Sequence, residues 1–250
     1  MKISLITVTY NSEKYLADCI ESVLMQDHPD IEHIIIDGKS KDSTVEIIKK
    51  YESRIAQWVS ETDRGMYDAI NKGIEMATGD VIGILNSDDM YASPDVVSKI
   101  ASAFKEKNTD SLFGDLEYVD QEDTEKIYRV WKGKPYKRSL FHMGWMPAHP
   151  TFYIKRSLVQ EYGGYESHYF TASDYEFMAR YLFRHNISSQ YLPQLIVKMR
   201  RGGASNKNMY QRFRANRRDY LAMKKNRIPL PFLVSILKPL IKLHQYSINK

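Results

Sequence analysis

At 250 residues, 43% hydrophobic and 27% charged, the chain has the size and composition of one large domain or one domain with an appendage, which excludes wholesale disorder. The net charge of +5 is unevenly spread: residues 1–206 carry 25 Lys and Arg against 30 Asp and Glu, whereas residues 207–250 carry 11 against the single Asp219, so the tail is the part expected to meet an anionic partner. The lone Cys19 excludes an intramolecular disulfide and any Cys-based metal site, and the lack of a signal-peptide pattern or of about 18 uninterrupted apolar residues points to the cytoplasm.

Ile3 to Thr9 is an apolar, β-branched run of strand length. Over Ser12 to Gln26, the residues Tyr15, Leu16, Cys19, Ile20, Val23 and Leu24 recur on one helical face, with Asn11 or Ser12 as N-cap and His28-Pro29 as the stop. His33 to Ile36 is a second strand ending at Asp37-Gly38. A helix near Thr44 to Tyr51 follows, then a short strand at Trp58-Val59 and a helix over Tyr67 to Ala77. Val81 to Leu85 is a further strand, ending at Asn86-Ser87-Asp88-Asp89. Strands alternating with helices at this spacing predict an α/β fold: a doubly wound, mostly parallel sheet with helices on both faces.

After Lys107 the rhythm changes. Strand-like pieces at Ser111 to Phe113, Lys126 to Trp131 and Thr151 to Ile154 surround an irregular stretch over 132–150. Asp174 to Phe183 reads as a helix, and Leu195 to Met199 as a strand before the turn Arg200-Arg201-Gly202-Gly203. Asn208 to Lys225 reads as a basic helix with Tyr210, Phe213, Tyr220 and Leu221 on its apolar side. The end, Ile228 to Tyr246, is apolar and interrupted by Pro229, Pro231 and Pro239. It places Leu233, Ile236, Leu237, Leu240, Ile241 and His244 near one face.

In open parallel sheets, ligands bind beyond the carboxyl ends of the strands. Thr9-Tyr10-Asn11, Asp37-Gly38-Lys39-Ser40 and Asn86 to Asp89 should therefore face one crevice. Asp37 by itself reads as a turn or cap residue. Asp88 and Asp89, being adjacent carboxylates, repel each other and need a cation, a donor network or solvent. Hard oxygen ligands of this kind suit Mg²⁺ or Mn²⁺ with a substrate phosphate completing the coordination, although a solvated loop capping the next helix accounts for the pair equally well. The chain has no G-x-x-x-x-G-K-[ST], no G-x-G-x-x-G after the first strand, no H-E-x-x-H and no G-x-S-x-G. What remains is a sheet that binds a phosphorylated ligand through a carboxylate-held cation.

Seven segments, in order, resemble the family 2 glycosyltransferases: TVTYN at Thr7 to Asn11, DGKSKDST at Asp37 to Thr44, DRGMYDAINKGIEMATGD at Asp63 to Asp80, NSDD at Asn86 to Asp89, HPTFYIKRS at His149 to Ser157, GGYES at Gly163 to Ser167 and SDYEFMARY at Ser173 to Tyr181. The look is that of bacterial enzymes assembling exopolysaccharide or O-antigen repeat units, of the colanic-acid type. The resemblance implies an A-type glycosyltransferase fold, a nucleotide-sugar donor, expected to be a UDP-sugar, and inversion at the anomeric carbon. It divides the chain into a nucleotide-sugar-binding half at 1–107, an acceptor-binding half at 108–206 and the tail at 207–250.

Carried over residue by residue, the resemblance sets Thr9, Tyr10 and Asn11 in the donor pocket, with Tyr10 against the base or ribose and Asp37 bonded to the base. Asp63 and Lys72 line the same pocket. The family's D-x-D falls on Asn86-Ser87-Asp88, with Asp88 on the metal and Asp89 supporting it; Asn86 carries no charge and is left as a ribose contact. Asp174 falls on the catalytic base, and Ser173 replaces the acidic residue that commonly precedes it. Arg200 and Arg201 are expected to fold over the diphosphate as a lid. His149 and Trp145 are candidate acceptor contacts, each with an ordinary core role as the alternative.

A nucleotidyltransferase shares the sheet and the metal logic but lacks its Gly-rich, Lys-containing loop here. A non-catalytic nucleotide-sugar-binding protein of the same fold is disfavoured by retention of both Asp88 and Asp174. The expected partners are a nucleotide-sugar donor and a glycan or lipid-linked acceptor. For the tail, an anionic membrane surface on the inner face of the plasma membrane is preferred, with packing on the catalytic part or on a second copy as alternatives. The tail lacks a recognised nucleic-acid-binding module, so no nucleic acid is expected.

Overall fold

The computed structural model describes residues 1–202 and 209–241. In chain order the elements are β1 (Ile3–Thr9), α1 (Leu16–Leu24), β2 (Ile31–Asp37), α2 (Thr44–Lys50), β3 (Gln57–Ser60), α3 (Met66–Met76), β4 (Val81–Ile84), β5 (Asp89–Tyr91) and α4 (Val96–Lys107). They continue as β6 (Ser111–Val119), β7 (Ile127–Trp131), β8 (Tyr153–Lys155), α5 (Arg156–Tyr162), α6 (Ser173–Met178), β9 (Ser189–Arg200), α7 (Met209–Lys225) and α8 (Pro231–Ile241).

The strands form one sheet in the order β3-β2-β1-β4-β8-β6-β9-β5, with β7 added to β6. Its first four strands are parallel. Every residue of β1 is buried, as a strand covered on both faces requires. Ile35 packs under Leu16, Ile20 and Ile48 of α1 and α2, whereas Ile34 and Ile36 belong to the main core with Ile70 of α3. Helices thus cover both faces. Gly73 lets α3 lie close on the sheet, because a Cβ there would stand 2.4 Å from Ile6 Cγ2. β1 and β2 run in register from Ile3 beside Ile31 to Thr9 beside Asp37, so both strands end at one level. β4 starts beside Ile3 and reaches Ile84 beside Ile6, which delivers Asn86 to Asp89 to that same edge.

The second half is mixed. β6 runs antiparallel to β7 and β8 and parallel to β9, while β5 pairs antiparallel with β9. β5 was not anticipated, and β9 is 12 residues long where only Leu195 to Met199 was expected. Pro193 and the polar residues before it mask that strand's pattern; it enters the sheet through pairing with β6, with a register shift between Phe113 and Asp115. The helix expected over Asp174 to Phe183 divides into α6 and a π-helical turn, Ala179–Arg184, and buried Glu176 pairs with buried Arg180 at 3.0 Å within it.

The described part of the tail folds back on the protein. Ala222, Met223, Ile228 and Val234 join the main core, and Asn226 Nδ2 donates to Glu176 Oε1 at 3.3 Å. Lys238 on α8 is buried, pairs with Asp219 of α7 at 2.7 Å, and stands 3.8 Å over the Tyr175 ring. The inward face of α8 is therefore Val234, Ser235 and Lys238, while Leu233 and Ile236 face solvent. Asn208, Gly203 and residues 242–246, all part of the expected tail pattern, lie outside the described residues, as do the side chains of Tyr210, Phe213, Leu240 and Ile241. Among the described residues no helix is long and apolar enough to cross a membrane.

Candidate active site

The loops after β1 and β2 are laced together. Gly38 N–H donates to the Thr9 carbonyl at 2.9 Å, Asn11 N–H to Ser40 Oγ at 2.8 Å, and Lys41 N–H to Asn11 Oδ1 at 2.9 Å. Asn11 takes a left-handed backbone, φ 50°, which its short polar side chain tolerates. Asp37 is fully buried; its carboxylate accepts from Ser40 N–H, Ser40 Oγ and Ser60 Oγ. In this arrangement Asp37 organises the loop. Thr9 Oγ1 is buried with no hydrogen-bond partner among the described residues.

Tyr10 and Asp63 meet at Gly38. A Cβ on Gly38 would lie 2.6 Å from Asp63 Oδ2 and 3.3 Å from Tyr10 Cδ2, so glycine is what allows both side chains to approach. Tyr10 is 60% exposed, leaving its ring open to stacking. Asp63 Oδ1 accepts from Gly65 N–H at 2.7 Å at the start of α3. Lys72 supports the same loop from below, donating to the Thr62 carbonyl at 3.1 Å and pairing with Glu61 at 2.8 Å.

Asn86 to Asp89 is joined to these loops through Ser12 and Ser87, whose hydroxyls lie 3.0 Å apart, and through Cys19 Sγ, 3.3 Å from the Asn86 carbonyl. Asn86 Nδ2 donates to Asp89 Oδ2 at 2.8 Å. Asp89 is fully buried, and its Oδ1 has no partner among the described residues. Burial first, then the neighbouring Asp88 charge, holds the Asp89 carboxyl well above the usual range; burial also raises Asp88. Two crowded carboxyls, one with an orphaned oxygen, make a donor set that fits a hard divalent cation completing its shell with phosphate and water. Asp88 would be the direct ligand and Asp89 the support behind it. Among the described residues no group of three or more His, Cys, Asp or Glu side chains forms a complete protein cage for a metal.

Arg200 does not stand over this loop as a lid. It is 5% exposed and acts as a brace: Nη1 donates to the Asp88 carbonyl at 3.1 Å, Nε to the Gln121 carbonyl at 3.1 Å, and Nη2 to Asp18 Oδ2 at 2.5 Å. Its guanidinium lies 4.6 Å over the Tyr15 ring. Arg201 turns to the β6–β7 hairpin, 3.9 Å over the Tyr128 ring. The alternation of a strand explains the split, since neighbouring residues at the end of β9 point to opposite faces.

Asp174 lies in the first turn of α6, where the helix dipole favours a negative charge. Its Oδ2 accepts the Tyr67 hydroxyl at 2.9 Å and lies 3.8 Å from His149 Nε2. Burial and the Asp174 charge push the Tyr67 hydroxyl far above its ordinary value, so it remains a donor. Tyr165 stacks on Tyr67 with centroids 5.5 Å apart. Ser173 Oγ donates to the Glu166 carbonyl at 2.9 Å, tying down the start of α6. Trp145 is not an acceptor wall: it is buried, edge-on to Phe113 and Phe141.

The expected residues thus gather into three linked groups: Tyr10, Asp37 and Asp63; Asn86, Asp88 and Asp89; and Asp174 with His149. Three residues went unassigned from sequence. Tyr67 lies within DRGMYDAINKG, but nothing local tells which side chain its hydroxyl reaches. Asp18 and Tyr15, which hold Arg200, sit on a helix read only for its apolar face.

This architecture is the A-type glycosyltransferase fold. S. aureus TarS shares it with a TM-score of 0.67 at 21% identity, over 90% of this chain and 39% of that one; the chain therefore spans well under half of that TarS structure. The TarS 1–349 structure in complex with UDP gives a TM-score of 0.65 at 20% identity, over 89% and 65% of the two chains. The mannosyltransferase PcManGT from Pyrobaculum calidifontis, in complex with GDP-Man and Mn²⁺, gives 0.65 at 18% identity, over 95% and 68%. An uncharacterized glycosyltransferase of Mycobacterium tuberculosis is 35% identical over 181 residues, 71% of this chain and 68% of the relative. The family model described as glycosyl transferase family 2 matches residues 4–163. The chain belongs to that family, and it is a glycosyltransferase.

Proposed function

We propose that the chain transfers a sugar, with inversion, from a nucleoside diphosphate donor to a hydroxyl of a glycan or lipid-linked acceptor in bacterial surface-polysaccharide synthesis. A UDP-sugar is the first donor to test. The observation that carries the reading is the Tyr67–Asp174 contact, which joins the helix beginning at the Asp63 loop to a carboxylate in reach of solvent beside His149. In this reading residues 1–107 hold the donor and residues 108–206 the acceptor, and the reaction takes place on the cytoplasmic side of the membrane.

Tyr10 stacks on the base, Asp63 and Asn86 position the nucleoside, and Asp37 holds the loop that meets the base. A divalent cation, Mg²⁺ or Mn²⁺, on Asp88 and backed by Asp89 would neutralise charge on the leaving diphosphate. His149 orients the acceptor hydroxyl toward Asp174. The hydroxyl oxygen attacks the anomeric carbon, its proton passes to the Asp174 carboxylate, and the anomeric C–O bond breaks with its electron pair leaving on the nucleoside diphosphate. General base assistance of this kind contributes ~10²–10⁴-fold.

The test is a panel of UDP-, GDP- and dTDP-sugars with Mn²⁺ and a bacterial lipid extract, followed by nucleoside diphosphate release and by NMR of the new anomeric centre. An α-linked donor should give a β-linked product. Release with retained configuration would overturn inversion, and consumption of no nucleotide sugar would overturn the donor class.

A further inference from the structure

The sequence places the anionic-partner surface in the tail alone. The fold builds a composite surface instead. A cavity of ≈ 460 Å³ is lined by Arg138, His142 and Arg184 of the catalytic part together with Arg227 and Pro229 from the α7–α8 turn. Phe183 forms part of its wall: the Arg138 guanidinium lies 4.5 Å over that ring, and His142 meets it edge-on at 5.6 Å. No carboxylate is among the described residues that line this cavity.

Directly after Pro229 the chain turns its apolar side chains outward. Leu230 and Phe232 are each 70% exposed, and Leu233 and Ile236 about half exposed. The opposite face of α8 is already committed to the core through Val234 and to the Lys238–Asp219 pair, so rotation of the helix cannot hide these side chains. Large apolar groups bordering a cationic cavity match one partner chemistry, an interface whose outer layer is anionic phosphate and whose inner layer is hydrocarbon.

We propose that this face docks on an anionic phospholipid bilayer. The lipid phosphates are taken by Arg138, Arg184 and Arg227, and Phe232, Leu233 and Ile236 enter the acyl boundary. Docking in itself does not depend on the sugar-transfer reading; only its use, bringing the site to a lipid-linked acceptor, rests on that reading. Lys238 of α8 lies over the ring of Tyr175, the residue next to Asp174, which connects the docking helix to the site.

Flotation of the full chain on phosphatidylcholine vesicles, with and without phosphatidylserine, tests the surface. The chain should rise with the anionic vesicles at low salt and stay down with the neutral ones. Each basic residue near an anionic leaflet is worth about fivefold in partitioning, so Arg138→Glu with Arg184→Glu should lower it roughly twentyfold or more. Phe232→Ser with Leu233→Ser should lower it as well. These are exposed positions, and unchanged circular dichroism and nucleotide binding verify that the variants remain folded. Flotation of the double Arg variant at the wild-type level would overturn the proposal, as would equal binding to neutral vesicles. A dimer in light scattering that Phe232→Ser dissociates, without flotation, would assign the face to a second copy and overturn it too.

Discussion

The Tyr67 hydroxyl donates to Oδ2 of Asp174 at 2.9 Å, joining α3 of the parallel half to the start of α6 across 107 positions of sequence. Tyr67 follows Gly65, whose N–H is held by Asp63, so the segment that borders the proposed donor pocket also holds the carboxylate proposed as base. Tyr67 is a positioning residue. Tyr67→Phe keeps the ring stacked on Tyr165 and removes only the hydrogen bond, so kcat should fall roughly tenfold with donor KM unchanged. Asp174→Asn should lower kcat by ~10²-fold or more while nucleoside diphosphate binding survives. Steady-state kinetics with calorimetry on both variants tests the pair; near-normal turnover by Asp174→Asn would remove the base.

Gly38→Ala probes the contact between Asp63 and Tyr10. The Gly38 backbone is not in the left-handed region, so alanine is not strained there; its Cβ instead displaces the Asp63 carboxylate 2.6 Å away. Nucleoside diphosphate affinity should weaken roughly tenfold, about 1.4 kcal/mol, while the melting temperature moves little. Unchanged affinity would place the base away from Asp63.

Arg200 and Arg201 should behave oppositely. Arg200→Ala strips partners from the Asp88 and Gln121 carbonyls, at a cost of about 1–3 kcal/mol, and should loosen cation-dependent nucleotide binding. Arg201→Ala on the exposed hairpin face should stay within about 0.5 kcal/mol of wild type. Thermal melts and calorimetry read both. Loss of turnover on Arg201→Ala alone would restore a lid at that position.

The parallel half was legible because β1, β2 and β4 are rich in β-branched apolar residues and their ends carry polar groups, and in-register pairing sends those ends to one edge. The second half was less legible. Pro193 interrupts the pattern of β9, and β5 begins on Asp89, a residue that reads as loop until Met199 is seen beside it. Arg200-Arg201 looks like an exposed cationic turn, but the first of them is buried with its guanidinium held by Asp18, 182 positions away, and by the Asp88 and Gln121 carbonyls. Trp145 and His149 are close in sequence, yet only His149 reaches Asp174; Trp145 is drawn into the cluster with Phe113 and Phe141. Alternation and motif order carry the scaffold, whereas pairings made across the chain decide which polar side chain faces a ligand.

Glu32 gives the fold a defined acid limit. Burial alone would raise its carboxyl, but hydrogen bonds from Lys2 Nζ, Ser4 Oγ and the Thr78 N–H and hydroxyl outweigh it and hold the group at about 2, below its ordinary 4.5. Because the folded value is depressed, the stabilisation is complete above about 4.5 and is lost as pH falls toward about 2. Melting temperature should decline through that window in wild type, and Glu32→Gln should start lower at neutral pH with a flatter profile. Parallel curves for the two proteins would contradict the assignment.

Calorimetry of UDP and GDP, with Mn²⁺ present and then chelated, tests most directly whether Asp88 and Asp89, between β4 and the start of β5, place a divalent cation against a nucleoside diphosphate. Wild type should bind one of them far more tightly with Mn²⁺, and Asp88→Ala should lose the Mn²⁺-dependent part and keep the remainder. Equal binding by Asp88→Ala and wild type, or wild-type binding indifferent to Mn²⁺, would contradict it.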